Sequence, residues 1–132
     1  MGFALILLLD SSTLIWATSV PSLLSARARS ALDDDQHDVC VSAASAWEIA
    51  TKHRLGRLEH AGPLVDDWDG HLERFGYTAV DITDRQARHA GSYDVAHGDP
   101  FDRIIAAQAE LEEMTLVASD RAFDLFPVTR LW

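Results

Sequence analysis

Residues 3–10 read FALILLLD, and this stretch decides how the rest of the chain is arranged. Seven apolar residues, Phe3 to Leu9, end at Asp10. A membrane-crossing helix needs about 20 apolar residues, so this run is far too short. It also lacks the positive flank and small-residue cleavage site of a secretory leader. A brief, uninterrupted apolar run closed by a polar residue instead predicts a parallel strand buried on both faces.

Outward from that strand, helical and extended patterns alternate. Residues 11–18 (SSTLIWAT) predict a short helix, and 22–33 (SLLSARARSALD) a second one with Leu23, Leu24, Ala28 and Leu32 as its apolar stripe. DVCVS (38–42) predicts a second strand, and 43–54 a helix stopped by Gly56. A helical stretch follows from Pro63 to about Arg74, then a strand at 77–82 and a helix capped by Thr83. Gly98-Asp99-Pro100 is a loop leading into the helix 101–112. TLVAS (115–119) predicts a fourth strand, 121–125 one helical turn, and 127–132 a final edge strand. Strands alternating with helices specify an α/β fold: a three-layer α/β/α arrangement around a central, mostly parallel sheet, with one domain spanning 1–132.

Composition narrows the function classes. The chain has 132 residues, 11 basic against 21 acidic, for a net charge of −10. At 48% hydrophobic it is composed like a globular protein rather than a disordered one. The acidity excludes a cationic DNA-coating protein and a membrane-surface binder. It leaves room for a nuclease, whose cleft can be locally positive or can carry metal ions. The single Cys40 excludes an internal disulfide framework and fits a reducing, cytoplasmic setting, with the thiol buried inside its strand.

In a parallel sheet flanked by helices, ligands gather at the carboxyl ends of the strands. Four acids fall there: Asp10 after the first strand, Glu48 early in the helix after the second, Asp102 in the first turn of its helix, and Asp120 after the fourth strand. Each has a structural explanation of its own. Asp10 and Asp120 suit helix caps, Glu48 completes a capping box with Ser45 and an ion pair with Lys52, and Asp102 favours the helix dipole behind an Asp99 cap. Taken jointly, converging carboxylates repel one another unless a proton or a cation neutralises them. Oxygen donors without a neighbouring Cys or His pair select Mg²⁺ or Mn²⁺, the ions of phosphoryl transfer to water.

At these residues the sequence resembles the PIN-domain ribonucleases, in particular the VapC-type toxins of bacterial toxin–antitoxin pairs. The likeness runs through LLLDSSTLIW (7–16), LSARARSAL (24–32), VSAASAWEIATKHRLGRL (41–58), HGDPFDRIIAAQA (97–109) and LVASDRAF (116–123). It implies that Asp10, Glu48, Asp102 and Asp120 form a metal-holding acidic quartet, supported by the hydroxyls of Ser12 and Ser119. It further implies a metal-dependent endoribonuclease, a homodimer, and a VapB-type antitoxin whose C-terminal segment sets a basic side chain among the acids. Asp99 is expected to cap its helix rather than bind metal.

Other residues carry weaker signals. Ten of the eleven basic residues are Arg, suited to phosphate contacts. Arg54, Arg103 and Arg121, with Lys52 and Arg57, are candidates for a positive RNA-binding rim; a solvated, salt-bridged face is the competing explanation. Trp16, Trp47, Phe101, Phe123 and Phe126 are expected in the core, and Trp68 and Trp132 are candidates for a partner surface. His53 and His97 are near the acids in sequence but lack metal-ligand spacing. Three alternatives compete: a phosphohydrolase of another fold, which requires an Asp-x-Asp after the first strand; a receiver domain, which requires adjacent acids there and a late lysine; and a catalytically inactive PIN-like binding domain. Ser11 and Ser12 after Asp10, and a single lysine at 52, disfavour the first two.

Overall fold

The computed structural model describes residues 3–132. Strand β1 (Ile6–Leu9) is the middle of five. Its partners are β2 (Asp38–Ser42) on one side and β4 (Thr115–Val117) on the other. Beyond them lie β3 (Thr78–Val80) and β5 (Arg130–Leu131), giving the order β3-β2-β1-β4-β5. Every pairing is parallel, with Leu9 level with Val41 on one side and Val117 on the other.

The central position of β1 explains its composition. Leu7, Leu8 and Leu9 are all fully buried, because a parallel strand inside such a sheet meets helices above and below. Successive side chains then divide between two cores. Leu7, Leu9, Val39 and Val41 face Leu14 and Ile15 of α1 (Ser11–Ser19), Ile49 of α3 (Ala43–Arg54), and Leu64 and Leu72 further on. Leu8, Cys40 and Leu116 face Ile105, Ala106 and Ala109 of α7 (Pro100–Leu111), with Phe123 and Phe126. The three-layer α/β/α arrangement read from the sequence is therefore the one present, and Cys40 is buried inside β2, where desolvation pushes its thiol pKa up.

Several local expectations need correction. The helix read over 22–33 divides into a 3-10 turn at Pro21–Leu23 and α2 (Ala26–Asp33). Ser25 is extended and its hydroxyl accepts the Ala28 N–H at 3.0 Å, so the helix starts there and Leu23 is left exposed. The stretch from Pro63 to Arg74 is also two helices, α4 (Gly62–Asp66) and α5 (Trp68–Phe75), separated where the Asp67 carboxylate caps α5. Gly76 closes α5 in the left-handed conformation, at φ +72°, which explains glycine there. Helix α6 (Asp84–Ser92) opens with a reciprocal Thr83–Gln86 capping box. Trp68 and Trp132 are not a free surface: both pack half-buried against the first core, where Trp132 meets Trp16 with ring centroids 5.8 Å apart. Trp47 moves the other way. It is 59% exposed and meets only the edge of Phe101, at 4.7 Å between ring centroids, so it is not core.

Candidate metal and phosphodiester site

The strand order places a switch point beside β1. The chain runs outward from β1 through β2 to β3, then returns to pair β4 on the opposite side. A crevice at the carboxyl ends of β1 and β4 follows from that reversal. A cleft of about 200 Å³ lies there, lined by Asp10, Ser11, Ser12, Glu48, Lys52, Asp99, Asp102, Ser119 and Asp120. The four acids picked out from distant segments of sequence therefore share one cleft, together with Ser12 and Ser119.

Each acid is positioned by its own element. Asp10 caps α1, its Oδ1 accepting the Thr13 N–H at 2.9 Å. Its own N–H donates to the Val117 carbonyl at 3.3 Å, and the Thr13 hydroxyl donates to the same carbonyl at 3.0 Å. Cap and ligand readings of Asp10 are thus compatible, because capping uses one carboxylate oxygen. Asp120 caps the 3-10 turn Arg121–Leu125 through Ala122 N–H at 2.9 Å and is exposed at the cleft margin. Asp99 caps α7, accepting from Phe101 N–H at 2.9 Å and Asp102 N–H at 3.2 Å.

Glu48 differs. The capping box read for Ser45 and Glu48 does not form, because α3 starts three residues earlier than that pairing requires, with Ser42 as its cap. Glu48 lies inside the helix, only 6% exposed, with both oxygens engaged. Ser11 Oγ is 2.5 Å from Oε1 and 3.1 Å from Ser45 Oγ. A hydroxyl has one proton, so Ser11 donates to the carboxylate and accepts from Ser45. Lys52 Nζ sits 2.5 Å from Oε2.

The electrostatics show the crowding. Burial raises the Asp10 pKa to about 6 against the opposing pull of Thr13, whose N–H it accepts, and the charges of Asp102 and Glu48 add to the rise. Asp102 is also raised to about 6, first by burial and then by Asp99 and Glu48, although His97 opposes the shift. His97 Nε2 is 2.9 Å from Asp102 Oδ2, so this imidazole orients the acid. Glu48 conversely holds the Lys52 ammonium above its ordinary pKa, mainly through their hydrogen bond.

The basic rim needs one reassignment. Arg103 is a strut: its guanidinium donates to the carbonyls of Ala90, Tyr93 and His97, at 2.9, 2.5 and 2.8 Å, and pins the loop before α7. All three of its nitrogens are thereby engaged by backbone carbonyls, and Arg103 does not line the acid cleft. Arg54 and Arg121 are exposed, with Arg121 next to Asp120 at the cleft margin. Sequence reasoning paired Lys52 with Glu48 and set His97 near the acids, but it missed Ser11 as a partner of Glu48, His97 as a partner of Asp102, and the inward placement of Lys52. The available signal for Lys52 was its spacing: four residues after Glu48, it shares that face of the helix.

Among the described residues, no group of three or more Asp, Glu, His or Cys side chains is placed to hold a metal ion. An open site is what a hydrated ion requires. Mg²⁺ keeps several waters and takes only a few carboxylates, and a positive charge would relieve the repulsion that raises Asp10 and Asp102. The oxygen donors of Asp10, Asp102 and Asp120 suit such an ion.

A five-stranded parallel sheet with helices on both faces and an acid cleft at its switch point defines the structural class. The model of one family, the PIN domain, matches residues 7–128, and the chain belongs to that family. Among solved structures, it is similar to VapBC2 from Rickettsia felis bound to a DNA fragment from their promoter, at 16% identity and TM-score 0.65, covering 96% of this chain and 97% of that one. It is also similar to FitAcB from Neisseria gonorrhoeae, at 20% identity and TM-score 0.53, covering 94% and 95% respectively. At such identities these likenesses carry the fold. A comparison with curated proteins gives no match.

Proposed function

We propose that this chain is a metal-dependent endoribonuclease, the toxin of a toxin–antitoxin pair. PIN domains are generally nucleases, which supplies the reaction class. The observation that carries the reading is the gathering of Asp10, Glu48, Asp102 and Asp120 in one cleft at the β1–β4 switch point. In this reading Asp10, Asp102 and Asp120 hold Mg²⁺ or Mn²⁺, and Glu48 orients the water that attacks the phosphodiester. The ion, when bound, polarises the phosphate and makes its water a stronger nucleophile at neutral pH. Ser12 and Ser119 offer hydroxyls to substrate or bound water, Asp10 and Asp102 are held in place by Thr13 and His97, and Arg54 and Arg121 draw the RNA backbone towards an otherwise acidic chain.

The toxin assignment is supported by the likeness to VapBC2, described as bound to a DNA fragment from their promoter, and to FitAcB. The partner expected here is a VapB-type antitoxin with a basic side chain that enters the cleft, and the working form is a cytoplasmic homodimer. Among the described residues, no helix is long and apolar enough to cross a membrane.

The test is cleavage of structured RNA by the purified protein. Activity should require Mg²⁺ or Mn²⁺, stop in EDTA, and fall by about 100-fold or more in folded Asp10→Asn and Asp102→Asn variants, as expected when an electrostatic contributor to the transition state is removed. Full activity in either variant overturns the assignment of the chemistry to this cleft, and no activity with any divalent ion in the wild-type protein returns the chain to an inactive binding domain.

A further inference from the structure

Lys52 is the only lysine among eleven basic residues, and it is the one that enters the acid cleft. Arginine offers a planar fork; lysine offers a compact, strongly hydrated point charge, the side chain closest in kind to a metal ion. Its Nζ sits 2.5 Å from Glu48 Oε2, while its side chain is still about one third exposed and so faces both the acid and the cleft. Asp99 and Asp102 act on the same ammonium. Both carboxylate oxygens of Glu48 already have a partner, Ser11 on Oε1 and Lys52 on Oε2, so a second ion at Oε2 would have to compete with the ammonium.

We propose that Lys52 is the resident second cation of the cleft, so that the site takes one divalent ion, on Asp10, Asp102 and Asp120, and uses the Lys52 ammonium where a two-metal enzyme places its second ion. This rests on the nuclease reading above and specifies its charge arrangement. In the hydrolysis, the oxygen of one water forms a new P–O bond, the P–O bond to the leaving ribose oxygen breaks, and the two protons of that water end on the leaving oxygen and in solvent. Lys52 faces the non-bridging phosphate oxygens and stabilises the charge gathering there, without itself exchanging a proton. Glu48, held by Ser11, keeps the ammonium at that place.

Calorimetric titration of metal-free protein with Mn²⁺ tests this, alongside RNA cleavage at saturating Mn²⁺. The wild-type protein should bind one Mn²⁺. Lys52→Met should bind a second ion at Glu48, melt lower than wild type without metal because Glu48 is left buried and unpaired, and cleave about 100-fold more slowly. Lys52→Arg, which keeps the charge, should return to one Mn²⁺ and recover part of the rate, and it serves as the folded variant should Lys52→Met not fold. Two ions on the wild-type protein, or one ion and wild-type cleavage with Lys52→Met, overturns the role of Lys52 alone. A wild-type protein that neither binds Mn²⁺ nor cuts RNA brings down the nuclease reading as well.

Discussion

The cleft at β1 and β4 and the seam between α6 and α7 use the same chemistry to opposite ends. At the seam, Glu110 has two donors of its own: His89 at 2.6 Å and Tyr93 at 2.7 Å. Its pKa is lowered, and the contacts tie α6 to α7. Arg103 finishes the same seam by joining α7 to the 90–97 loop. In the cleft, five acids share one ammonium and a few neutral donors, and the two most buried aspartates are raised to about 6. Carboxylates at the seam are matched to stabilise the fold. Those in the cleft are under-matched, and the shortfall is a demand for cation that only a ligand can meet.

The widest separation between the two regions should appear with pH. A carboxyl group raised in the folded state adds stability below its unfolded pKa and loses it as pH rises through the folded value. Asp10 and Asp102 therefore make metal-free protein less stable as pH climbs from about 4 to about 6, on the order of 3 kcal/mol for either acid alone. Glu110 has the opposite sign: its stabilisation is present above its ordinary pKa and is lost on acidification. Melting curves in EDTA at fixed ionic strength should show the downward slope in the wild-type protein and its loss in an Asp10→Asn, Asp102→Asn double variant. An equal slope in both would place the imbalance elsewhere.

Breaking the seam should cost somewhat less. Arg103→Ala removes three charge-assisted hydrogen bonds to carbonyls, and the expected loss is about 2–3 kcal/mol, or roughly 10 °C in melting temperature. Arg103→Ala should leave Mn²⁺ stoichiometry untouched, which calorimetry would check. The smallest change is Glu110→Gln. It keeps the shape and weakens two hydrogen bonds at a partly exposed place, so about 1 kcal/mol should be lost with RNA cleavage unchanged. A drop in cleavage there would mean that the two regions are coupled.

How much of this was legible in the sequence follows from what each signal encodes. The unbroken run Leu7-Leu8-Leu9 could only belong to a strand covered on both faces, and the placement of Asp10 and Asp120 follows from strands β1 and β4 ending just before them. Periodicity also located α3 and α7, hence Glu48 and Asp102. It could not show what covers a given face. Trp47 lies on a helix whose inner side is packed by Ile49, while its own side has only Phe101 against it. Trp132 had the reverse fate because it packs against Trp16, a contact between distant segments that no local pattern records. The extra break at Ser25 was a capping signal overridden by the apolar stripe through Leu23 and Leu24. Arg103 and Lys52 illustrate the same limit for charge: sequence placed each near an acid, but only tertiary contacts decided that one braces a loop and the other enters the cleft.

The carbonyl of Val117 receives both the Asp10 N–H and the Thr13 hydroxyl, and this small clasp has a wider implication. It ties Asp10, at the end of β1, directly to the end of β4, whatever the surrounding loops do. The segment 93–99 has no such clasp, yet it carries the His97 that meets Asp102, the Asp99 that caps α7, and the Tyr93 and His97 carbonyls that hold Arg103. The two most buried aspartates of the cleft are thus anchored differently, Asp10 by the sheet and Asp102 by a loop.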